Sequence, residues 1–190
     1  MLWIENAPAP VGLIPPPGDL WVFAYGSLMW DPGFPVDAIE SATLEGWHRA
    51  FCVSSVGHRG TPEWPGLVVG LLPGGCCHGL ALRADPRHRD ATLDYLWRRE
   101  LVLADGYAAQ VVTCTAHGDC EALTFVADDG HEAFAGMLDA EGAARRIATA
   151  QGRRGSNRDY LERTIERLTA LGIADPDVES VGHAVAALAA

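Results

Sequence analysis

The chain has 190 residues, of which 48% are apolar and 21% are charged, so it can build one sizeable core and does not have the composition of a disordered protein. Its 25 acidic and 14 basic residues give a net charge of -11, and a field of that sign repels phosphate backbones and argues against nucleic-acid binding. No apolar run approaches the roughly 20 residues of a membrane span, and the N-terminus lacks the pattern of a signal peptide.

Five cysteines are scattered along the chain rather than grouped in a framework. An odd, irregular set is not typical of a small secreted domain held together by disulfides. We therefore expect a reduced, soluble protein of the cytoplasm. The cysteines are Cys52, Cys76, Cys77, Cys114 and Cys120.

The first 19 residues differ in composition from the rest of the chain. They contain five prolines, which remove backbone donors and fix φ, so regular strand pairing is disfavoured. We expect residues 1–19 to form an extended arm that lies on the domain or frays, and residues 20–190 to form a single domain. The prolines are Pro8, Pro10, Pro15, Pro16 and Pro17.

Apolar runs predict the strands. Residues 20–24 form a short apolar run that stops at Tyr25-Gly26-Ser27, which is typical of a strand buried on both faces and followed by a glycine turn. Residues 47–56 predict a second strand, and residues 57–66 a loop. Two hairpins are expected where glycine turns separate apolar runs. The paired runs are 67–72 with 77–82 around Pro73-Gly74-Gly75, and 107–115 with 122–126 around His117-Gly118-Asp119.

Start signals and apolar periodicity predict the helices. Asp85-Pro86 combines an acidic cap with proline at the first helical position, which predicts a helix to about Leu101. Strands in the middle of the chain and helices late in it favour an α+β fold with a mostly antiparallel sheet or a small barrel. Three further helices are predicted near 132–150, over 158–171 after a cap at Ser156 or Asn157, and from Asp175-Pro176.

One carboxylate is predicted to lie on a buried helix face. In the helix after Asp85, the residues Leu93, Leu96 and Trp97 follow the i, i+3, i+4 spacing of one buried stripe, and Glu100 falls on the same stripe. Burial and the negative end of the helix dipole both disfavour a charged carboxylate. We therefore expect a raised pKa for Glu100, which is what a general base or acid near neutral pH requires.

Two segments contain candidate binding groups. Tyr25-Gly26-Ser27-Leu28 directly follows the first buried strand. Gly26 can take φ > 0, so successive backbone N–H groups of this turn are expected to point the same way and to bind a carboxylate or a developing oxyanion. Tyr160 follows Gly155-Ser156-Asn157, and its hydroxyl is a candidate hydrogen-bond partner in a pocket.

Each of these features also has a structural alternative. Glu100 can pair with Arg98, Arg99 or another cation at the edge of the core, because charged residues at the end of a buried stripe often reach solvent. The glycine turn can be only a connection between elements. Tyr160 can pack on the core after an N-cap.

Four segments carry a further signal through their order in the chain. They are Val22-Phe23-Ala24-Tyr25-Gly26-Ser27-Leu28-Met29-Trp30; Arg59-Gly60-Thr61-Pro62, continuing to Pro65-Gly66; Leu96-Trp97-Arg98-Arg99-Glu100 with Gly106-Tyr107; and Gly155-Ser156-Asn157 with Tyr160-Leu161. Together these segments resemble the ChaC family of glutathione-specific γ-glutamylcyclotransferases, most closely its bacterial branch. The resemblance covers about residues 20–172.

The resemblance implies a γ-glutamylcyclotransferase-like fold, a small mixed β-barrel with flanking helices. It implies that Tyr25 to Leu28 form the γ-glutamyl-binding loop, that Glu100 is the catalytic carboxylate, and that Arg59 and Tyr160 bind substrate. The implied reaction converts glutathione into 5-oxoproline and cysteinylglycine without a metal, nucleotide or redox cofactor. Leu101 to Asp105 is longer and more apolar than in many relatives, and an enzyme for other γ-glutamyl amides would share every residue named. The sequence does not indicate the oligomeric state.

Three rival functions find less support in the sequence. A cysteine hydrolase could use Cys114 and His117, but a thiolate nucleophile needs a positioned base and an electropositive pocket. Cys76-Cys77-His78 lacks the C-x₂₋₄-C spacing of zinc sites and is typical of two cysteines alternating across a strand. A non-catalytic binding module has no use for a buried carboxylate, which costs stability.

Overall fold

The computed structural model describes residues 13–101 and 106–188. Residues 1–12 of the predicted arm and residues 102–105 of the loop after the candidate carboxylate lie outside these ranges. The strands are β1 (Trp21–Ala24), β2 (Val36–Ser55), β3 (Gly66–Ala84), β4 (Tyr107–Thr115), β5 (Asp119–Ala127), β6 (Gln151–Gly152) and β7 (Gly155–Ser156). The α-helices are α1 (Arg89–Glu100), α2 (Ala140–Thr149), α3 (Asn157–Ala170) and α4 (Pro176–Ala187).

Strands β1 to β5 form a closed barrel in the order β1-β3-β2-β4-β5. β1 pairs antiparallel with β3 and, at Val22, parallel with β5, so the barrel is mixed. Val22, Phe23 and Ala24 are fully buried, as predicted for a strand covered on both faces. These findings confirm the predicted α+β class with a small mixed barrel and flanking helices.

The chain divides into two compact units. Of the described residues, the first unit contains 13–49, 71–101 and 107–126. The second contains 50–70, 106 and 127–188. Helix α1 therefore belongs to the first unit, and helices α2, α3 and α4 belong to the second. A single domain over residues 20–190 remains a prediction.

Helix α1 follows the start signal that the sequence contains. Asp85 accepts a hydrogen bond from the Arg87 amide at 2.9 Å, and proline occupies the first position of a 3-10 turn at Pro86–His88. This cap satisfies an amide that has no acceptor within the turn. The helix then ends at Glu100. The predicted helix from Asp85-Pro86 is confirmed, with its first turn in the tighter 3-10 form.

The last part of the predicted arm lies against this helix. Arg89, the first residue of α1, donates hydrogen bonds to the Pro16 carbonyl at 2.7 Å and to the Gly18 carbonyl at 3.1 Å. Residues 13–19 form neither a helix nor a strand, as expected for a proline-rich segment. The described part of the arm therefore lies on the domain.

The hairpin predicted around Pro73-Gly74-Gly75 is wrong. Strand β3 continues through these residues from Gly66 to Ala84. Gly74 and Gly75 have φ values of +100° and +72°, and glycines of this kind bend a strand without ending it. His48 of β2 donates a hydrogen bond from Nδ1 to the Gly74 carbonyl at 3.0 Å. The glycines accordingly shape a long strand between two neighbours instead of reversing the chain.

The other strand predictions are largely confirmed. The run predicted over 47–56 is the second half of the longer strand β2. The paired runs around His117-Gly118-Asp119 are the neighbouring barrel strands β4 and β5.

Helix α3 in the second unit begins at a buried asparagine. Ser156 accepts a hydrogen bond from the Asp159 amide at 3.0 Å and is the N-cap. Asn157 instead clasps the backbone of Leu67 on β3: its Oδ1 accepts from the Leu67 amide at 2.6 Å, and its Nδ2 donates to the Leu67 carbonyl at 2.8 Å. Both residues are fully buried, so this pair of hydrogen bonds ties the start of α3 to β3.

The remaining helices differ from expectation in one place. The helix predicted near 132–150 begins only at Ala140, after Asp139 caps it. The backbone before Ala140 forms hydrogen bonds with β2 instead of a helix. The Ser54 amide donates to the Ala133 carbonyl and the Ala135 amide to the Cys52 carbonyl, both at 2.8 Å. Helix α4 starts at Pro176 after the Asp175 cap, which confirms that prediction.

We predict that Asn157→Ala lowers the free energy of unfolding by about 2–6 kcal/mol, because it leaves a buried N–H and a buried C=O of Leu67 without partners at roughly 1–3 kcal/mol each. Urea unfolding of the full chain measures the change. Ser156→Ala, which removes only the N-cap, is the matched control and costs about 1 kcal/mol. A loss for Asn157→Ala no larger than that of the control would contradict the assignment.

Candidate active site

The turn after β1 is a single turn of 3-10 helix, Ser27–Met29. Gly26 has φ -128°, so the expected positive φ at this glycine is wrong. The turn is closed by hydrogen bonds from the Met29 amide to the Gly26 carbonyl and from the Asp31 amide to the Ser27 carbonyl, both 2.9 Å. A 3-10 turn has no internal acceptor for its first amides. The N-cap residue, Gly26, makes no side-chain cap hydrogen bond, so the first amides of the turn, those of Ser27 and Leu28, are candidate donors for an anion.

Tyr25 fixes the position of this turn. Its side chain is buried, and its hydroxyl donates to the Phe125 carbonyl of β5 at 2.6 Å. The Tyr25 carbonyl accepts from Arg49 Nε at 2.7 Å. Both ends of the residue are therefore engaged by the barrel before the chain enters the turn.

Arg49 is a buried cation that the sequence analysis missed. It is 3% exposed, and its NH2 group also donates to the His78 carbonyl of β3 at 2.7 Å. Arg49 thus holds the end of β1, through Tyr25, to β3. The signal in the sequence was a charged residue inside the apolar run 47–56, which a strand pattern alone does not explain.

Glu100 is the last residue of α1, and its side chain is 16% exposed. The predicted stripe is confirmed at Leu96 and Trp97, which are buried, whereas Leu93 is only half-buried. The ion pair considered as the alternative is also present, because Arg99 Nε lies 2.9 Å from Glu100 Oε1. Arg98 instead donates to the Asp94 carbonyl of its own helix at 3.1 Å. Glu100 is therefore a largely buried carboxylate with a cationic neighbour.

One guanidinium group connects this carboxylate to the turn after β1. The Arg99 side chain is 8% exposed, and its NH2 group donates to Ser27 Oγ at 3.0 Å. Its NH1 group occupies further acceptors of the loop and of α1, which fixes the plane of the guanidinium. They are the carbonyls of Asp31 at 2.7 Å and Pro32 at 3.3 Å, and the Tyr95 hydroxyl at 2.8 Å.

The electrostatics of Arg99 keep it charged. Burial lowers the pKa of Arg99, but the attraction of Glu100, the hydrogen bond and charge of Tyr95 and the attraction of Asp31 outweigh burial and raise it above its ordinary value. An arginine is protonated throughout the physiological pH range in any case. Glu100 consequently always faces a positive charge, which favours its carboxylate form against the opposing effect of burial.

Tyr95 and Gly33 complete the contact between α1 and the loop. The Tyr95 ring packs edge-on against Phe34 at 6.5 Å between centroids, and the Arg99 guanidinium carbon lies 5.9 Å from the Tyr95 centroid. Gly33 has φ +73°, and a Cβ atom at this position would overlap the Tyr95 hydroxyl. A glycine is therefore needed at position 33 both for its backbone conformation and for the close approach of Tyr95.

Arg59 and Tyr160 contact each other in the second unit. The Arg59 guanidinium carbon lies 5.5 Å from the centroid of the Tyr160 ring, and Arg59 NH1 donates to the carbonyls of Arg154 at 2.7 Å and Ser156 at 3.2 Å. Burial lowers the pKa of Arg59, although Tyr160 opposes this shift.

Tyr160 itself is packed as its structural alternative expected. The side chain is buried, its ring meets Phe51 edge-on at 6.3 Å, and its hydroxyl accepts from the Val69 amide at 3.4 Å.

The cysteine and metal alternatives are compared with the described residues in turn. Cys114 Sγ lies 3.4 Å from Cys120 Sγ, and burial, followed by the hydrogen bond with Cys120, raises the pKa of Cys114 to about 12, which opposes a thiolate nucleophile. Within residues 13–101 and 106–188, no group of three or more His, Cys, Asp or Glu side chains is arranged to hold a metal ion.

In the same ranges, no helix combines the length and apolar character that crossing a membrane takes.

The structure thus brings together two of the predicted features in the first unit. The Tyr25–Leu28 turn and Glu100 meet at the Arg99 guanidinium. The first amides of such a turn can bind an anionic oxygen, and a carboxylate can accept and return a proton.

Comparison with known proteins identifies the family to which the chain belongs. The model of the family described as ChaC-like protein matches residues 20–188. The chain is 34% identical over 162 residues to the glutathione-specific γ-glutamylcyclotransferase of Escherichia coli K12, covering 85% of this chain and 70% of that protein. It is 31% identical over 186 residues to glutathione-specific γ-glutamylcyclotransferase 1 of Danio rerio, covering 94% of each.

A solved structure shares the fold. The crystal structure of a γ-glutamyl cyclotransferase specific to glutathione from yeast superposes with a TM-score of 0.81 at 23% identity. The match covers 90% of this chain and 99% of the yeast chain.

We predict that Gly33→Ala destabilises the protein more than Gly46→Ala. Both glycines have a positive φ, +73° and +79°, but a Cβ atom at Gly46 meets open space. Gly46→Ala should therefore show only the backbone strain of about 1–3 kcal/mol, measured by urea unfolding.

The added loss in Gly33→Ala should shrink in a Tyr95→Leu background, which lacks the overlapping hydroxyl and the ring carbon Cζ. Equal losses for the two alanine variants would show that Tyr95 does not constrain the loop at position 33.

Proposed function

We propose that this chain, which belongs to the ChaC-like protein family, is a γ-glutamylcyclotransferase that converts glutathione into 5-oxoproline and cysteinylglycine. The curated relatives reported above are named for glutathione, which favours this substrate over other γ-glutamyl amides. The observation that carries the site assignment is the guanidinium of Arg99, which joins the Glu100 carboxylate to Ser27 of the turn.

The reaction is an internal acyl transfer. The α-amine of the glutamyl group attacks its own γ-amide carbonyl, a C–N bond forms in a five-membered ring, and the C–N bond to cysteine breaks. Because the nucleophile is already tethered, holding it in the correct approach can lower the barrier by about 7–11 kcal/mol. None of these steps calls for a metal, a nucleotide or a redox cofactor.

Glu100 is the proposed general base and acid. The α-ammonium of the substrate has no lone pair, so it must lose a proton before or during attack. Glu100 accepts this proton and then donates it to the leaving nitrogen, so that cysteinylglycine leaves as the neutral amine, and the second proton that the α-nitrogen loses on becoming the lactam N–H passes to solvent. Its largely buried position and its charged neighbour Arg99 suit this cycle, because the carboxylate form must be present at the start.

The turn is the proposed binding element for an anionic oxygen of the substrate. The amides of Ser27 and Leu28 begin a 3-10 turn, and they can donate either to the oxyanion of the tetrahedral intermediate or to the α-carboxylate. Loss of one oxyanion donor typically costs about 2.7–4 kcal/mol of transition-state stabilisation. Tyr25 and Gly26 contribute by holding this turn at the end of β1.

Arg59 and Tyr160 are proposed to bind substrate through the guanidinium that lies on the tyrosine ring. A planar guanidinium pairs with a carboxylate through two parallel hydrogen bonds, and the peptide substrate carries carboxylates. The irregular cysteines support the cytoplasm, where glutathione is kept reduced, as the compartment.

We predict that Glu100→Gln abolishes release of 5-oxoproline from glutathione, with a loss of about 10²–10⁴-fold, since the amide cannot accept the ammonium proton. Chromatographic detection of 5-oxoproline measures the loss, and circular dichroism checks the fold. Glu162→Gln, at an exposed position on α3, is the control and should retain full activity. Near-wild-type turnover of Glu100→Gln would remove this residue from the mechanism.

We also predict that Tyr25→Phe and Tyr160→Phe weaken substrate binding or turnover. Each change removes one hydroxyl hydrogen bond. Tyr25→Phe loosens the turn and Tyr160→Phe loosens the contact with Arg59, so kcat/KM should fall by about 2–10-fold. Steady-state kinetics with glutathione measure the effect at a temperature where both variants are folded. Kinetics unchanged in both variants would assign the two tyrosines to the core alone.

A further inference from the structure

We infer that Arg99 is a positioning residue of the active site, which holds the Glu100 carboxylate and the Ser27 hydroxyl in one fixed arrangement. This inference rests on the proposed role of Glu100. Arg99 needs no contact with substrate for this role, because it acts through the two groups that it holds.

The argument begins with the way in which the guanidinium is fixed. Its NH1 group donates to two loop carbonyls, those of Asp31 at 2.7 Å and Pro32 at 3.3 Å, and to the Tyr95 hydroxyl at 2.8 Å. The ring of Tyr95 lies beside the guanidinium as well. These contacts define both the position and the plane of a rigid fork, which a flexible ammonium group cannot reproduce.

The other edge of the fork faces the candidate chemistry. Nε meets Glu100 Oε1 at 2.9 Å, and NH2 meets Ser27 Oγ at 3.0 Å. A general base and its donor groups must be held within about 0.5 Å of the productive geometry. A single planar group that contacts both halves of the site meets this requirement, because the two halves cannot then move independently.

Burial separates this ion pair from ordinary surface pairs. Exposed ion pairs contribute little, because water screens them and both side chains lose freedom. Arg99 is 8% exposed and Glu100 16%, so water screens their attraction much less. The neighbouring Arg98 is exposed and only donates to the Asp94 carbonyl, which makes it the matched control on the same helix.

The test compares Arg99→Ala, Arg99→Lys and Arg98→Ala in the full chain. The turnover number is measured as 5-oxoproline released from glutathione, and it is divided by the folded fraction, which denaturant curves give at the assay temperature. We expect kcat per folded molecule to fall by about 100-fold in Arg99→Ala, as for a misplaced catalytic group. Arg99→Lys should fall by at least about tenfold, because it keeps the charge but loses the fork. Arg98→Ala should match the wild type.

Chemical rescue separates a positioning role from a merely structural one. Guanidinium chloride at millimolar concentration should restore kcat of Arg99→Ala by about tenfold or more, since the free ion can occupy the vacated acceptors, with no change in the folded fraction. The same addition should leave Glu100→Gln inactive. A structural tie would instead lower the folded fraction while the activity of each folded molecule stayed at the wild-type value.

The outcomes also distinguish this inference from the proposed function. If the wild type releases no 5-oxoproline, or Glu100→Gln is fully active, the proposed function fails and the inference falls with it. If those two results are as expected but Arg99→Lys keeps the wild-type kcat per folded molecule, or Arg99→Ala is not rescued, only the inference is overturned. Failure of both Arg99 variants to fold would make Arg99 a structural residue and overturn it too.

Discussion

A buried guanidinium must have all its N–H groups satisfied, and this requirement organises the first unit of the structure. Arg99 donates hydrogen bonds to two loop carbonyls and two hydroxyls, and its Nε lies 2.9 Å from Glu100 Oε1 in an ion pair. A buried charge that lost one of these partners would be strongly destabilising. The loop after β1 therefore has to follow the path that brings Ser27 and Asp31 to α1, and Gly33 allows that path by taking a conformation that other residues disfavour.

The barrel supplies the frame on which this contact is built. Phe125 of β5 receives the ring of Trp97 from α1, and its carbonyl receives the hydroxyl of Tyr25 from the end of β1. One strand thus locates both the helix that carries the carboxylate and the turn that carries the amide donors. The cap at Asp85 fixes where the helical segment starts. Helical spacing counted from that start then places Glu100 at the end of the buried stripe.

The sequence predicted those features that depend on neighbours a few residues away. The caps at Asp85, Ser156 and Asp175 act within three residues, and the stripe that ends at Glu100 follows helical spacing alone. The turn signal at Gly74-Gly75 was misleading because β3 continues through it and lies between β1 and β2 in the barrel, a long-range pairing that no local pattern contains. Arg99 was visible only as a possible partner of Glu100, because its contact with Ser27 spans 72 residues of sequence.

A cation beside the proposed base is consistent with proton transfer in both directions. Burial alone would favour a neutral carboxyl group, which could not accept the proton of the α-ammonium. The charge of Arg99, weakly screened because the pair is largely buried, opposes this effect of burial by attracting the negative charge of the carboxylate. The nucleophile and the electrophile belong to one substrate molecule, so the remaining demand on the protein is geometric. That demand falls on the residue that holds Glu100 as much as on Glu100 itself.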